Sequence, residues 1–200
     1  TGRADARVTV WDAPLAEAGG VLWRHRAAWA ARVAERYRAL CAAIGERGAS
    51  SLRYASTLDE GADAAAAIAG ALAARLALDV RRGMTQAGPH RDDLALALDG
   101  RDLRVFGSAG QQRSAAIALR MVEWETLRAA CGAAPLLLLD DPFAELDARR
   151  AARVLALLSE AGIGQVVLAV PRDGDIPDAF TRLERARVES GAIEPWAVPA

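Results

Sequence analysis

The sequence predicts an α/β fold, with a parallel-strand core, flanking helices and a β-hairpin, joined to a helical lobe over residues 1–82. Three observations carry that reading. Leu136 to Leu139 are four consecutive apolar residues closed by Asp140 and Asp141, the pattern of a buried parallel strand ending in carboxylates. Leu22, Trp29, Val33, Tyr37, Leu40 and Ile44 recur at steps of seven, four and three, the period of a helix face. Leu94, Leu96 and Leu98 alternate with smaller residues ahead of Asp99-Gly100, which reads as a strand entering a tight turn.

The remaining elements follow in order. Pro14 suits a first helical turn, so a long helix is expected over residues 13–47, interrupted or bent at Gly19-Gly20. Trp11, Trp23 and Trp29 could stack bases, but at helical spacing beside leucines they read as core or lobe-packing residues, and His25, between two arginines, as a solvated or packing one. Ser51 to Leu58 alternates as a short strand. Asp63 to Arg82 is a second helix, alanine-rich, with Ile68, Leu72, Leu76 and Val80 at every fourth place. Arg81-Arg82-Gly83 marks the boundary between the lobe and residues 83–200. Beyond the Asp99-Gly100 turn, Leu103 and Val105 are expected to complete the hairpin. Gln111 to Ala130 forms a helix with Ile117, Met121, Leu127 and Cys131 along one face. A helix after Asp147 runs to about Glu160 with Val154, Leu157 and Leu158 facing in, and Gln165 to Val170 is a second buried strand. Thr181 to Val188, Gly191 and Ile193 read as a closing edge hairpin.

Composition narrows the function classes. The chain has 200 residues, 52% hydrophobic and 26% charged, enough for a sizeable core. No apolar run approaches the roughly 20 residues that span a bilayer, and Thr1 to Arg7 holds no apolar signal segment, so no membrane partner is expected. Cys41 and Cys131 fit no metal spacing and make no disulfide framework, which sets the expectation of a reducing cytoplasm. The net charge of -1 excludes a chain that is basic throughout, so a polyanion must be met by a local arginine patch or by a surface built from several subunits. All 25 basic residues are arginine, and without lysine no G-x-x-x-x-G-K-[ST] phosphate loop is possible in this chain.

Candidate chemistry concentrates between Phe106 and Asp147. Ligands of open α/β sheets sit at the carboxyl ends of the strands. Asp140 there is suited to hold the Mg²⁺ of a bound nucleotide, because Mg²⁺ takes hard oxygen ligands and few of them from protein. Asp141 beside it is placed to polarise a water next to the terminal phosphate. Gly107-Ser108-Ala109-Gly110-Gln111 opens a helix, whose free N–H groups and dipole favour an anion; an ordinary helix cap is the competing reading. His90, Asp92 and Asp93 admit two readings, a metal or proton-transfer cluster, or residues that brace the Gly88-Pro89 turn and pair with Arg91 or a neighbouring chain.

Read together, G-S-A-G-Q-Q-R-S (107–114) and L-L-L-L-D-D-P-F-A-E-L-D (136–147) resemble the signature motif, Walker B motif and D-loop of ABC-type ATPases. With G-P-H-R-D-D-L (88–94), the wording is most similar to the RecF family of bacterial recombination and repair proteins. The resemblance implies the C-terminal half of an ABC-type ATPase head (83–200) plus part of a helical arm lobe (1–82), with ATP and Mg²⁺ as cofactors. It implies an ATP-dependent homodimer that binds single-strand/double-strand DNA junctions, acts with other recombination mediator proteins and aids recombinase loading at gaps. In such heads the nucleotide lies between two subunits. Ser108, Gly110 and Gln111 would then touch the ATP gripped by the partner's P-loop, Asp140 and Asp141 would serve their own subunit's nucleotide, and Asp147 would lie across the seam. One departure stands out: no histidine follows the Gln165–Val170 strand, and within Pro171-Arg172-Asp173 only Arg172 is a candidate phosphate sensor. The missing P-loop sets the expectation of a truncated protein, inactive as it stands. An SMC-type head fragment is the nearest rival, weakened by the lack of sustained heptads. A non-catalytic DNA or protein interaction module is the rival from another class.

Overall fold

In the computed structural model, residues 9–58, 63–177 and 184–195 are described. They fall into two compact units, divided at Val122/Glu123. The lobe boundary read from the sequence, at Gly83, falls inside the first unit, at the left-handed glycine that ends a helix.

The first unit is built on helix α1, Asp12–Ile44, which starts with Pro14 in its first turn and stops at left-handed Gly45. Its buried face is Ala16, Gly20, Ala30, Val33, Tyr37, Leu40, Cys41 and Ile44. Leu22, which the spacing places on that face, is exposed. Gly19-Gly20 does not interrupt the helix. A Cβ on Gly20 would lie 2.9 Å from the backbone N of Ala65, so this pair marks where a second helix crosses closely. That helix, α2, is Ala64–Arg82, and the Asp63 carboxylate caps it by accepting from the N–H groups of Ala65 and Ala66. Ile68 and Leu72 join Ala16 and Ala87 in a shared core cluster. Two turns further the expected stripe is displaced. Val80 is 45% exposed, whereas Asp79 is only 7% exposed and accepts the Gln86 N–H at 3.1 Å. A carboxylate is stable in that place because it satisfies a backbone donor of the returning loop.

Strand β1, Ser50–Ala55, shorter than expected, pairs antiparallel with β2, Asp93–Leu98, in the register Ser50↔Leu98 to Ala55↔Asp93. Asp99 and Gly100 both have positive φ, 50° and 76°, as a tight hairpin turn with the strand twist demands. The second arm, β3, is only Arg101–Asp102. Leu103 and Val105 do not continue it. Asp102 accepts the Arg104 N–H at 2.8 Å and starts a one-turn helix, α3, Leu103–Phe106, with Leu103 buried and Val105 exposed. Helix α4, Ala109–Cys131, follows. Ile117 and Met121 are buried as expected, but Val122 and Trp124 take the places foreseen for Leu127 and Cys131, which are exposed.

The second unit holds a β-α-β crossover. Strand β4, Leu137–Asp140, lies parallel to β5, Val166–Ala169, in the register Leu137↔Val166 to Asp140↔Ala169. Helix α5, Ala148–Glu160, connects them and buries Ala151, Val154, Leu155 and Leu158; Leu157 is half-buried. Such a crossover is what parallel neighbours require. The strands are parallel but not fully buried. Leu137 and Leu139 are inside while Leu138 is 64% exposed, and β5 alternates likewise, so one sheet face is open. Strands β6, Ala186–Glu189, and β7, Ala192–Pro195, form the closing hairpin. The part of that expectation on residues 181–183 lies outside the described residues.

Candidate functional site

Two places carry the chemistry, one in each unit. In the first unit, Ser108 is the N-cap of α4. Its hydroxyl accepts the Gln111 N–H at 3.3 Å, and the Gln111 side-chain oxygen accepts the Ser108 N–H at 2.9 Å. This is a reciprocal capping box, so the cap reading of Ser108 and Gln111 has a definite geometry. It leaves the first-turn N–H groups of Ala109 and Gly110 at the positive end of a helix 23 residues long. Gly110 is half-buried, and its carbonyl accepts the buried Ser114 hydroxyl at 2.8 Å.

Spacing alone did not reveal what fixes this helix start. The Gln112 amide donates to the carbonyls of Leu103, Arg104 and Gly107 at 3.1, 3.3 and 3.1 Å, tying the open end of α3 to α4. Gly107 is required by space: a Cβ there would meet the Leu103 carbonyl oxygen at 2.5 Å. The second glutamine of the Gln111-Gln112 pair was the available signal, because a polar residue one turn inside a helix beside a glycine junction can satisfy orphan carbonyls.

In the second unit, Asp140 ends β4 and is exposed, and Asp141 continues the ladder by donating its N–H to Ala169 O at 2.8 Å. Asp141 has φ 45°, in the left-handed region that non-glycine residues seldom occupy and that aspartate tolerates better than most. Such a backbone costs on the order of 1–3 kcal/mol and clusters at functional sites. Among the described residues no three His, Cys, Asp or Glu side chains converge as a metal cage. The Asp140 carboxylate, hard, exposed and at a strand end, fits Mg²⁺, which keeps most of its water and takes one or two carboxylates. Asp147 is the N-cap of α5, its Oδ1 accepting the Arg150 N–H at 2.8 Å. Arg172 donates through Nε to Asp175 Oδ2 at 3.1 Å. That bond chiefly raises the guanidinium pKa above the ordinary arginine value, and the more distant charge of Asp141 adds in the same direction. Arg172 thus stands within the field of Asp141, held by a neighbouring carboxylate.

His90, Asp92 and Asp93 go separate ways. His90 Nε2 lies 3.0 Å from Thr85 O. Asp92 accepts the Tyr54 hydroxyl at 2.5 Å. Burial, with the Asp92 carboxylate second, pushes the Tyr54 pKa up to about 12. Asp93 pairs with Arg104 at 2.6 Å, and that hydrogen bond holds its pKa below the usual carboxylate value. The partners of the two carboxylates are Tyr54 and Arg104 rather than Arg91, which donates to Thr85 O and Met84 Sδ.

No family model matches the chain. It is 37% identical over 208 residues to the DNA replication and repair protein RecF of Chloroflexus aurantiacus, covering 94% of this chain and 50% of that protein. It is 39% identical over 189 residues to the RecF of Anaeromyxobacter dehalogenans, covering 91% and 51%. The solved structure of the recombination mediator protein RecF-ATPrS in the RecFOR pathway superposes with a TM-score of 0.75 at 25% identity, over 98% of this chain and 52% of that one. The chain therefore spans about half the length of the curated relatives it matches.

Proposed function

Because this chain belongs to the RecF family over the stretch it covers, we propose that it supplies the signature and Walker B portion of an ATP-dependent DNA repair protein. The observation that carries this reading is the Asp140-Asp141 pair at the carboxyl end of a parallel strand, the second residue in a left-handed backbone. On this reading Asp140 holds Mg²⁺, which when bound neutralises phosphate charge. Asp141 orients the attacking water and accepts its proton. Gly110 and Ala109 present N–H groups to the terminal phosphate of a nucleotide gripped by a second subunit, with Ser108 and Gln111 shaping that helix end. Asp147 borders the same seam, and Arg172 reaches the phosphate after leaving Asp175. Residues 1–82 act as the arm lobe and 83–200 as the head, in a cytoplasmic homodimer that acts at single-strand/double-strand DNA junctions with other recombination mediator proteins.

The capping box bears on this division of labour. It uses the Ser108 hydroxyl and the Gln111 oxygen only as acceptors, so the Ser108 O–H and the Gln111 NH2 stay available to donate to a phosphate beside the backbone N–H groups. The test is Asp141→Asn in a chain completed with a P-loop-bearing segment, reading ATP affinity and turnover separately. Affinity is expected to stay within about twofold while turnover falls by the roughly 10²–10⁴ that a positioned acid or base contributes. Unchanged turnover removes Asp141 from the reaction.

A further inference from the structure

Three arginines from two elements converge on the loop Met84–Gln86 in the first unit. Arg75, on α2, donates to Gln86 O at 2.8 Å, and Arg82, at the end of the same helix, donates to Gln86 Oε1 at 3.1 Å. Arg91, from the 3-10 turn Pro89–Arg91, donates to Thr85 O and Met84 Sδ, each at 3.3 Å. Every partner is neutral, so the hydrogen bonds orient the guanidinium groups without cancelling their charge. Arg81 adds a fourth exposed cation beside them.

The carboxylates nearby are committed elsewhere. Asp79 is buried against the Gln86 N–H, Asp92 is bound by Tyr54, and Asp93 by Arg104. Among the described residues no ion pair involves Arg75, Arg81, Arg82 or Arg91. Residues 75–91 carry four arginines against one aspartate, a net +3 on a chain whose total is -1. The dipole at the end of α2 accounts for favouring Arg81 and Arg82. It does not account for Arg75, two turns back, or for Arg91, which comes from another element. Three guanidinium groups without an ion-pair partner on one small loop, with Arg81 next to one of them in sequence, suit phosphate contact, since each guanidinium keeps further donors free for oxygen pairs.

We infer that this arginine-bound loop is a contact surface for the phosphate backbone of duplex DNA. This rests on the proposed DNA-repair reading and assigns it residues. Three to four phosphate contacts predict a slope of about -3 in log K against log salt, or about a 60-fold loss of affinity between about 50 and 200 mM salt.

The experiment is fluorescence anisotropy of a labelled duplex titrated with this chain across that salt range. It compares the parent with Arg75→Gln/Arg82→Gln/Arg91→Gln, the corresponding triple lysine variant, Arg81→Glu and the distant Arg47→Gln, with circular dichroism on each. The triple glutamine variant is expected to lose at least tenfold in affinity at low salt and to flatten the slope toward zero. The lysine variant should recover most of both, and Arg47→Gln should match the parent. Should the triple variant not fold, Arg81→Glu, which breaks no hydrogen bond, decides the matter through a several-fold loss. A parent that binds duplex while the triple variant and Arg81→Glu keep its affinity and slope overturns this assignment and leaves the DNA reading standing. A parent that binds no duplex overturns this assignment. Equal binding of a polyglutamate peptide and of duplex overturns it in favour of an acidic protein surface.

Discussion

Replacing Gly20 by alanine tests the packing that positions the first unit. In an open helix the change is favourable, because glycine costs about 1 kcal/mol relative to alanine in a helix interior. Gly70 provides that reference on the neighbouring helix: a Cβ there meets nothing within 4 Å. Gly70→Ala is therefore expected to stabilise the chain by about 1 kcal/mol. At Gly20 the new methyl would stand 2.9 Å from Ala65 N and 3.1 Å from both Ala65 Cα and Cβ. Two of those atoms are backbone, which cannot swing aside as a flexible side chain can. Overpacking of this kind costs about 1–3 kcal/mol, which offsets the propensity gain and leaves Gly20→Ala neutral to about 2 kcal/mol destabilising. The difference between the two variants, about 1–3 kcal/mol, isolates the contact from the propensity. Urea unfolding followed by circular dichroism at constant m reads it. Equal stabilisation by the two substitutions would refute the close crossing of α1 and α2.

Two further outcomes follow from other parts of the molecule. The chain has two tyrosines, so Tyr37→Phe leaves Tyr54 alone to be followed by its phenolate absorbance. Its folded pKa, raised to about 12, lies above the unfolded value, so its contribution to stability is full below about pH 10 and is lost as the pH rises through about 12; ionisation near 10 in the folded chain would contradict the half-buried bond to Asp92. Titrating Mg-ATP calorimetrically into the chain alone is expected to show no saturable micromolar binding, because a helix end contributes about 0.3–1 kcal/mol against the roughly 8 kcal/mol that affinity needs. Saturation at micromolar concentration would mean that this chain grips nucleotide without a P-loop.

Helix α4, the Asp140-Asp141 strand end and the crossover through α5 were legible in the sequence because each couples a strong period to a sharp terminator. The sequence read the hydrophobic face of α1 correctly from Val33 to Ile44 and missed that Leu22 is exposed, since periodicity gives a face but not the extent of its cover. Gly19-Gly20 looked like a break because propensity is local, and the close approach of Ala65 is not. Leu103 and Val105 read as the hairpin's second arm, but the Asp102 carboxylate starts a helix there by capping the Arg104 N–H, a side-chain direction that alternation does not encode. The open face at Leu138 was illegible for a related reason: four apolar residues in a row describe what a strand can bury, not what lies against it. At the site, residue types indicated chemistry, while the reciprocal Ser108–Gln111 bonds and the arginines around Met84–Gln86 depend on side-chain directions that spacing does not encode.

The central claim is that the start of α4 meets a nucleotide held by another subunit. Sedimentation with and without Mg-ATP, on a chain completed with a P-loop-bearing segment and carrying Ser108→Arg, tests it most directly. The larger side chain fills the space of the partner's phosphate and leaves each subunit's own nucleotide grip untouched. The expected result is monomers that bind ATP with near-parental affinity and no longer dimerise on its addition. A variant that still forms ATP-dependent dimers as the parent does would contradict the claim.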